Sequence, residues 1–335
     1  MIITRTPFRI SFFGGGTDYP AWYQKHGGVV LATSIDKYCY ISCRYLPPFF
    51  EHKHRIVYSR IENVQSPDEI EHPAVRAILR WAGCERGLEI HHDGDLPARS
   101  GLGSSSSFTV GLVHALSALY GKYVSKDELA SNAIHIEQNV IKEHVGSQDQ
   151  ISATFGGFNR IEFKRDDTFD VAPIVLAKER LHELQSHLML CFTGFSRIAS
   201  EIAKSKIDNF AKRETELKRM KEMVDEGIAI VQSPAAGIEE FGQLLHQCWQ
   251  YKRSLSDKVS TPQIDDLYTS ALDAGAIGGK ILGAGGGGFL LLFARPEDQA
   301  RIRERLKDVV HVPFKFENSG SRVVLYQPNG LSGLA

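Results

Sequence analysis

Apolar positions in the first half of the chain come in short blocks closed by glycine or proline. Arg9-Ile10-Ser11-Phe12-Phe13 reads as a strand that stops at Gly14-Gly15-Gly16. Val29-Val30-Leu31-Ala32-Thr33 and Tyr38-Cys39-Tyr40-Ile41-Ser42-Cys43 are rich in β-branched and aromatic residues, so residues 1–60 are expected to be strands and turns. Leu88-Glu89-Ile90-His91-His92 predicts a further strand running toward Pro97. Residues 105–120 are largely apolar, as a buried helix is. Ser125-Lys126-Asp127-Glu128 is a capping box that opens a helix through about residue 142. Phe158–Phe163 predicts a strand, and Lys164-Arg165-Asp166-Asp167 after it a solvated turn.

The second half has a different texture. Leu188-Met189-Leu190-Cys191-Phe192 is a buried-type strand, and residues 199–231 are helical with a charged face from Lys212 to Glu222. Helices follow near 237–251, 262–274 and 296–308, and Arg322–Tyr326 is a last strand. Strands and helices clump rather than alternate, which predicts the α+β class. No internal repeat or low-complexity tail is visible.

Composition narrows the function classes. A length of 335 residues suits two lobes sharing a cleft. The formal net charge of −1 gives no case for a nucleic-acid or membrane surface. No apolar h-region marks the N-terminus, and the longest apolar run, Phe289–Ala294, is strand length. Cys39, Cys43, Cys84, Cys191 and Cys248 form no CxxC pair and read as reduced core thiols of a cytoplasmic enzyme.

The stretch with the most chemistry is Pro97-Ala98-Arg99-Ser100-Gly101-Leu102-Gly103-Ser104-Ser105-Ser106-Ser107, which feeds directly into the apolar helix. Glycines let backbone approach a ligand, and the free N–H groups of a helix N-terminus favour an anion. A phosphate cradle is expected, although no Gly-Lys-Ser/Thr closes it as in a Walker loop. A second glycine run, Leu282 to Phe289, contains Gly283-x-Gly285-x-x-Gly288. A strand-like segment follows it, so it is no dinucleotide fingerprint. It reads as a turn whose backbone comes very near something, the first loop being one candidate.

Three carboxylates stand out. Glu137 falls in the apolar arc of its helix with Ala130, Ala133, Ile134 and Ile141, where a carboxylate needs a cation or metal, which makes it a Mg²⁺-ligand candidate. Asp149 lies in Gly146-Ser147-Gln148-Asp149-Gln150, read as a loop after a helix end, and could accept a proton. Asp18, in Gly14-Gly15-Gly16-Thr17-Asp18-Tyr19, could take two sugar hydroxyls. His91-His92-Asp93-Gly94-Asp95 is a strand end and turn rather than a metal cluster, and Glu51-His52-Lys53-His54 an exposed loop.

Taken in order, these segments resemble the three motifs of the GHMP small-molecule kinase superfamily. Arg5 through Tyr19 resembles the first, Pro97 through Ser107 the second, which holds the ATP phosphates, and Lys280 through Phe289 the third. Phe12 through Tyr19 and Leu96 through Ser107 are most similar to the kinases of heptose phosphates. Galactokinases carry Gly-Glu-His where this chain has Gly14-Gly15-Gly16, which argues against galactose.

The resemblance implies an N-terminal α+β lobe with a left-handed βαβ unit over 1–178 and a ferredoxin-like lobe over 179–335. It implies Asp149 as catalytic base and Arg9 as the basic partner that orients the attacking hydroxyl. ATP would lie on Gly101, Leu102, Gly103, Ser104–Ser107, Gly285 and Gly286. Mg²⁺ would be held by Glu137 and one serine of 104–107, assigned to Ser105, and the sugar by Gly16, Thr17, Asp18 and Tyr19. A substrate phosphate must meet cations, for which Arg44, Arg99, Lys252 and Arg253 are candidates, with Lys252 and Arg253 preferred near the end of a helix.

The implied reaction is ATP-dependent phosphorylation of the anomeric (C1) hydroxyl of a heptose 7-phosphate, serving nucleotide-activated heptose and surface polysaccharide synthesis. The alternatives are a fucokinase-like kinase of a neutral sugar and a sensor without turnover. The oligomeric state is left open, a homodimer among the options.

Overall fold

A computed structural model of the chain describes residues 1–194 and 199–328. In chain order the elements are β1 (Ile2–Phe13), α1 (Pro20–His26), β2 (Gly28–Tyr45), β3 (His54–Val57), β4 (Ile61–Val64), α2 (Pro73–Trp81), β5 (Leu88–Gly94), α3 (Ser104–Leu119), α4 (Lys126–His135), α5 (Gln148–Phe155), β6 (Phe158–Phe163) and β7 (Phe169–Pro173). Then come α6 (Lys178–Ser186), β8 (Leu188–Phe192), α7 (Ala199–Asn209), α8 (Glu214–Gln232), α9 (Glu239–Ser254), α10 (Pro262–Asp273), β9 (Ala276–Ile281), β10 (Phe289–Ala294), α11 (Gln299–Arg305), β11 (Val310–Val312), β12 (Phe316–Glu317) and β13 (Arg322–Tyr326). Among the described residues no helix is long and apolar enough to cross a membrane.

The first sheet has the strand path β13-β1-β2-β5-β3-β4, with β6, β7 and β12 joined through β2. The long β2 pairs with β1 along one edge and with three strands along its length besides: Gly28–Thr33 with β6, Ser34 and Ile35 with β12, and Cys39–Tyr45 with β5. All pairs are antiparallel except β3 with β5, whose connection runs through β4 and α2. The second sheet is antiparallel with order β11-β8-β10-β9. With α7–α10 after its first strand and α11 before its last, this is the ferredoxin-like order.

The second sheet is built from strands between residues 188 and 312, while the strands beyond it return to the first sheet. β12 pairs with β2 and β13 with β1, so residues 316–326 belong to the first sheet. Two expectations change. His54 opens β3 fully buried, its Nδ1 accepting from Leu88 N at 3.3 Å, so the 51–54 segment is a loop only in part. The capping-box helix has its cap, Ser125 Oγ accepting from Glu128 N at 3.1 Å, but its regular part ends at His135. Residues 136–140 then form a π turn.

Phe12 and Phe13 at the end of β1 pack edge-on against Phe241 of α9, at centroid distances of 5.4 and 5.0 Å. Phe241 meets Phe293 of β10 at 6.0 Å. Each fully buried phenylalanine contributes about 1.5–3 kcal/mol, so the seam holds the lobes together directly beneath the Gly14–Gly16 loop. The cysteines are all free thiols, four of them buried and Cys84 half-buried.

Candidate active site

Helix α3 begins at Gly103, whose φ of +76° is the left-handed turn that glycine allows without cost. No side chain caps this N-terminus and no acidic residue lies in its first turn. Its leading N–H groups are therefore left for an anion. The serines that follow divide their work. Ser107 Oγ donates to the Pro7 carbonyl at 2.9 Å, and Ser104 Oγ accepts from Arg99 N at 3.1 Å, so both brace the loop. Leu102 is a buried anchor whose carbonyl accepts from Arg9 N at 3.0 Å. Ser105 is exposed.

Arg9, on β1, turns its guanidinium onto Asp149. Nε donates to Oδ1 and Nη2 to Oδ2, both at 2.7 Å, while Nη1 donates to the Gly101 carbonyl at 2.7 Å. The fork fixes the carboxylate plane and ties it to the phosphate loop. The Arg9 side chain is 4% exposed and that of Asp149 23%, so the carboxylate keeps the open edge. Asp149 is not in a loop: Ser147 occupies the N-cap and Asp149 the first turn of α5.

Glu137 sits in the π turn, 1% exposed. Its Oε2 accepts from Ser106 Oγ at 2.9 Å and Gln150 Nε2 at 2.5 Å, while its Oε1 has no partner. Burial pushes its pKa up to about 7, with the nearby Thr109 hydroxyl and the donors Ser106 and Gln150 opposing the rise. The serine beside the candidate metal carboxylate is thus Ser106 and not Ser105. Successive helical side chains diverge by 100°, and the one turned inward decides the contact. A single carboxylate and a hydroxyl suit Mg²⁺, which keeps waters and substrate phosphates as its remaining ligands. No group of three or more His, Cys, Asp or Glu that could hold a metal exists among the described residues.

Asp18 is 1% exposed, its Oδ1 accepting from Gly16 N at 2.8 Å and Oδ2 from Gln148 Nε2 at 3.0 Å. Burial raises its pKa, and the nearby Asp149 charge adds to the rise. Thr17 Oγ1 donates inward to the Gly14 and Val29 carbonyls, a loop brace rather than a free hydroxyl. Tyr19 is buried with its ring edge-on to Phe210 at 5.8 Å. A cavity of about 470 Å³ lies beside this loop, lined by Tyr19, Tyr23, Gln138 and Ser147 but not by Arg9, Asp149 or Glu137.

The glycine run at 283–288 turns between β9 and β10 and lies against the phosphate loop. Phe289 N donates to the Ser100 carbonyl at 3.0 Å. Gly286 N is spent on the Val259 carbonyl at 2.8 Å, and Gly285 lies against the same residue.

Three of the four candidate phosphate-binding cations are engaged elsewhere. Lys252 is buried, its Nζ donating to the Ile281 and Gly283 carbonyls at 2.6 and 2.7 Å. Arg253 pairs with Asp265 at 2.8 Å. Arg44 pairs with Glu89 on the first sheet, and Arg99 is exposed in the phosphate loop. Helix periodicity turns Lys252 inward under the glycine turn and Arg253 toward α10, so neither presents a free charge to the cleft.

Sequence reasoning missed three groups: Ser106 as the partner of Glu137, Lys280, which donates to the Phe12 carbonyl at 2.7 Å, and Lys206. Lys206 is 4% exposed on α7. It stands four and three residues after the buried Ile202 and Ala203, so a lysine on an apolar face was the available sign.

Two family descriptions match the chain, GHMP kinases N terminal domain over residues 70–157 and GHMP kinases C terminal over 230–312, together just over half of it. The chain is 29% identical over 318 residues to D-glycero-alpha-D-manno-heptose 7-phosphate kinase of Campylobacter jejuni, covering 91% of this chain and 93% of that one. It is 23% identical over 339 residues to galactokinase of Thermotoga maritima, covering 90% and 92%. The crystal structure of a D-glycero-D-manno-heptose 1-phosphate kinase from Bacteroides thetaiotaomicron superposes with a TM-score of 0.79 at 22% identity, over 97% of this chain and 99% of that one. The chain belongs to the GHMP kinase family and is an ATP-dependent phosphotransferase of the sugar-kinase type.

Proposed function

We propose that the protein transfers the γ-phosphoryl group of ATP to the anomeric hydroxyl of D-glycero-D-manno-heptose 7-phosphate, giving the 1,7-bisphosphate and ADP, in the cytoplasm. The observation that carries the reading is the Arg9–Asp149 fork set at the mouth of the uncapped α3 helix. A sensor without turnover has no need of a carboxylate held in this way.

In this reading Asp149 accepts the C1 hydroxyl proton through a lone pair that Arg9 leaves open. The freed oxygen attacks the γ-phosphorus, and the bond from that phosphorus to the β,γ-bridging oxygen breaks. Arg9 orients Asp149 and holds Gly101 in register. The α3 N–H groups and the Gly101–Gly103 loop receive the phosphates, and the third glycine turn, whose Gly286 N is spent on Val259, supports that loop rather than binding ATP itself. Asp18 takes sugar hydroxyls, with Gly16 and Tyr19 shaping that wall. Phosphoryl transfer depends chiefly on placement and charge neutralisation. Glu137 and Ser106 would hold Mg²⁺, which when bound neutralises charge developing on the β- and γ-phosphates; the unpartnered Glu137 Oε1 fits that role.

The heptose 7-phosphate acceptor is carried by the Campylobacter relative's name and by the excess of buried positive charge near Asp18. A fucokinase-like kinase of a neutral sugar is the second reading, favoured by the likeness to a bifunctional fucokinase. An ATP-coupled assay over phosphorylated and unphosphorylated heptoses and hexoses, with the product site read by NMR, tests both. Expected is preferred turnover of heptose 7-phosphate at C1. Equal kcat/KM for heptose and heptose 7-phosphate would overturn this reading in favour of the neutral sugar.

A further inference from the structure

Four cations are buried around the first and third glycine loops: Arg9, Lys206, Lys252 and Lys280, at 3, 4, 7 and 2% exposed. Three of them are occupied. Arg9 is spent on Asp149 and Gly101, Lys280 on the Phe12 carbonyl, and Lys252 on the Ile281 and Gly283 carbonyls. Lys206 alone has no hydrogen-bond acceptor among the described residues; its Nζ lies 5.3 Å from the centroid of the Tyr19 ring. The carboxylates acting on it are Asp18 and Asp149, so four cations face two anions.

The Lys206 side chain is almost wholly removed from water, yet its ammonium is not sealed off and keeps an open face; a charge so largely desolvated and without a protein acceptor is completed by a ligand that reaches that face. Burial draws its pKa down to about 8, with Asp18 and Asp149 opposing and Lys280 and Arg9 adding to the fall. It therefore remains mostly charged at neutral pH. Asp149 and Arg9, where the two substrates would meet, also act on it, but its nearest ring and first-ranked carboxylate lie on the acceptor side. It lies on Tyr19 and feels Asp18, the residues proposed for the acceptor, whereas Glu137 is not among the groups acting on it.

We propose that Lys206 is a specificity-determining residue for the acceptor, its ammonium binding the phosphate group that the acceptor sugar already carries. The proposal rests on the reading of the acceptor as a sugar phosphate and names the group that selects it. Asp18 holds hydroxyls and Lys206 the dianion, so one end of the acceptor is fixed by each lobe. A neutral sugar leaves the ammonium unmatched.

The test uses the full chain with Lys206→Met and Lys206→Arg. Steady-state kinetics are run with heptose 7-phosphate and with heptose, and the sugar phosphate is titrated calorimetrically without nucleotide. Expected for Lys206→Met is a rise of roughly tenfold or more in KM and Kd for the sugar phosphate, the scale of a lost charged hydrogen bond. The KM for ATP and for heptose should not change, and Lys206→Arg should restore most of the phosphosugar affinity. A fall in kcat alone, or equal KM changes for both acceptors, would overturn the proposal.

If the wild type does not phosphorylate heptose 7-phosphate, the proposed function falls. The role of Lys206 is then read separately, by titrating other sugar phosphates and inorganic phosphate. Binding that Lys206→Met or Lys206→Arg alters supports it, and binding that neither variant alters overturns it. Should Lys206→Met not fold, Lys206→Gln takes its place in each measurement.

Discussion

Gly101 and Gly283 meet backbone to backbone. A Cβ on Gly283 would lie 2.5 Å from Gly101 Cα, and one on Gly101 would lie 2.6 Å from the Leu282 carbonyl oxygen. Both have positive φ, +87° and +68°. The loop proposed to receive phosphate is thus supported by a loop of the other lobe, with no side chain between them. Gly283→Ala should pry the two apart, costing about 1–3 kcal/mol in strain and weakening nucleotide binding roughly tenfold or more. Thermal melting and titration with a non-hydrolysable ATP analogue check this. Normal affinity in the folded variant would show that the second loop does not shape the first.

Asp149→Asn should leave ATP binding near normal while kcat falls about 10²–10⁴-fold, the range for a positioned proton acceptor. Arg9→Lys keeps the charge but loses the two-pronged grip, so kcat should fall with the ATP affinity little changed. Retention of more than about a third of wild-type kcat by Asp149→Asn would remove the base role.

Glu137 has a folded pKa of about 7 against 4.5 for the free side chain, with burial the main cause. The folded state therefore binds this proton more tightly. The stabilisation it gives is complete below about 4.5 and is lost as pH rises through about 7. The metal-free protein should lose stability over that window, and Glu137→Gln should lose less. Mg²⁺ with nucleotide requires the carboxylate, so binding near pH 6.5 should release a proton from the wild type and not from Glu137→Gln. Titration enthalpies in buffers of different ionisation heat measure this. Equal proton release in the two proteins would return Glu137 to a structural role.

Arg253 and Asp265 form a half-exposed pair, worth about 0–1 kcal/mol. Arg253→Ala should leave both KM values unchanged. Lys252→Met strips the donor from two buried carbonyls and should cost about 1–3 kcal/mol. A tenfold rise in the phosphosugar KM of Arg253→Ala would instead reinstate it as a phosphate ligand.

The glycine-serine loop before α3, the third glycine turn and the final strand are legible in the sequence because glycine, serine clusters and β-branched runs act locally. Asp149 was recognised as a base candidate but misplaced in a loop, since its helix starts one residue before it, at Gln148. The π turn around Glu137 was hidden because a widened turn has no sequence spacing of its own. Lys252 and Lys206 show the remaining limit. Both are lysines of helical segments, and only packing between lobes tells which one is tied to carbonyls and which is left without an acceptor.

The return of β13 to the first sheet bears on how the chain is made. β13 covers the free edge of β1, and Gln327 N donates to the Met1 carbonyl at 2.8 Å. On the ribosome β1 is made long before β13, so its edge stays uncovered until that later segment emerges. Vectorial synthesis thus leaves β1 open to wrong partners for the whole interval between the two strands, and pairing with β13 ends that exposure.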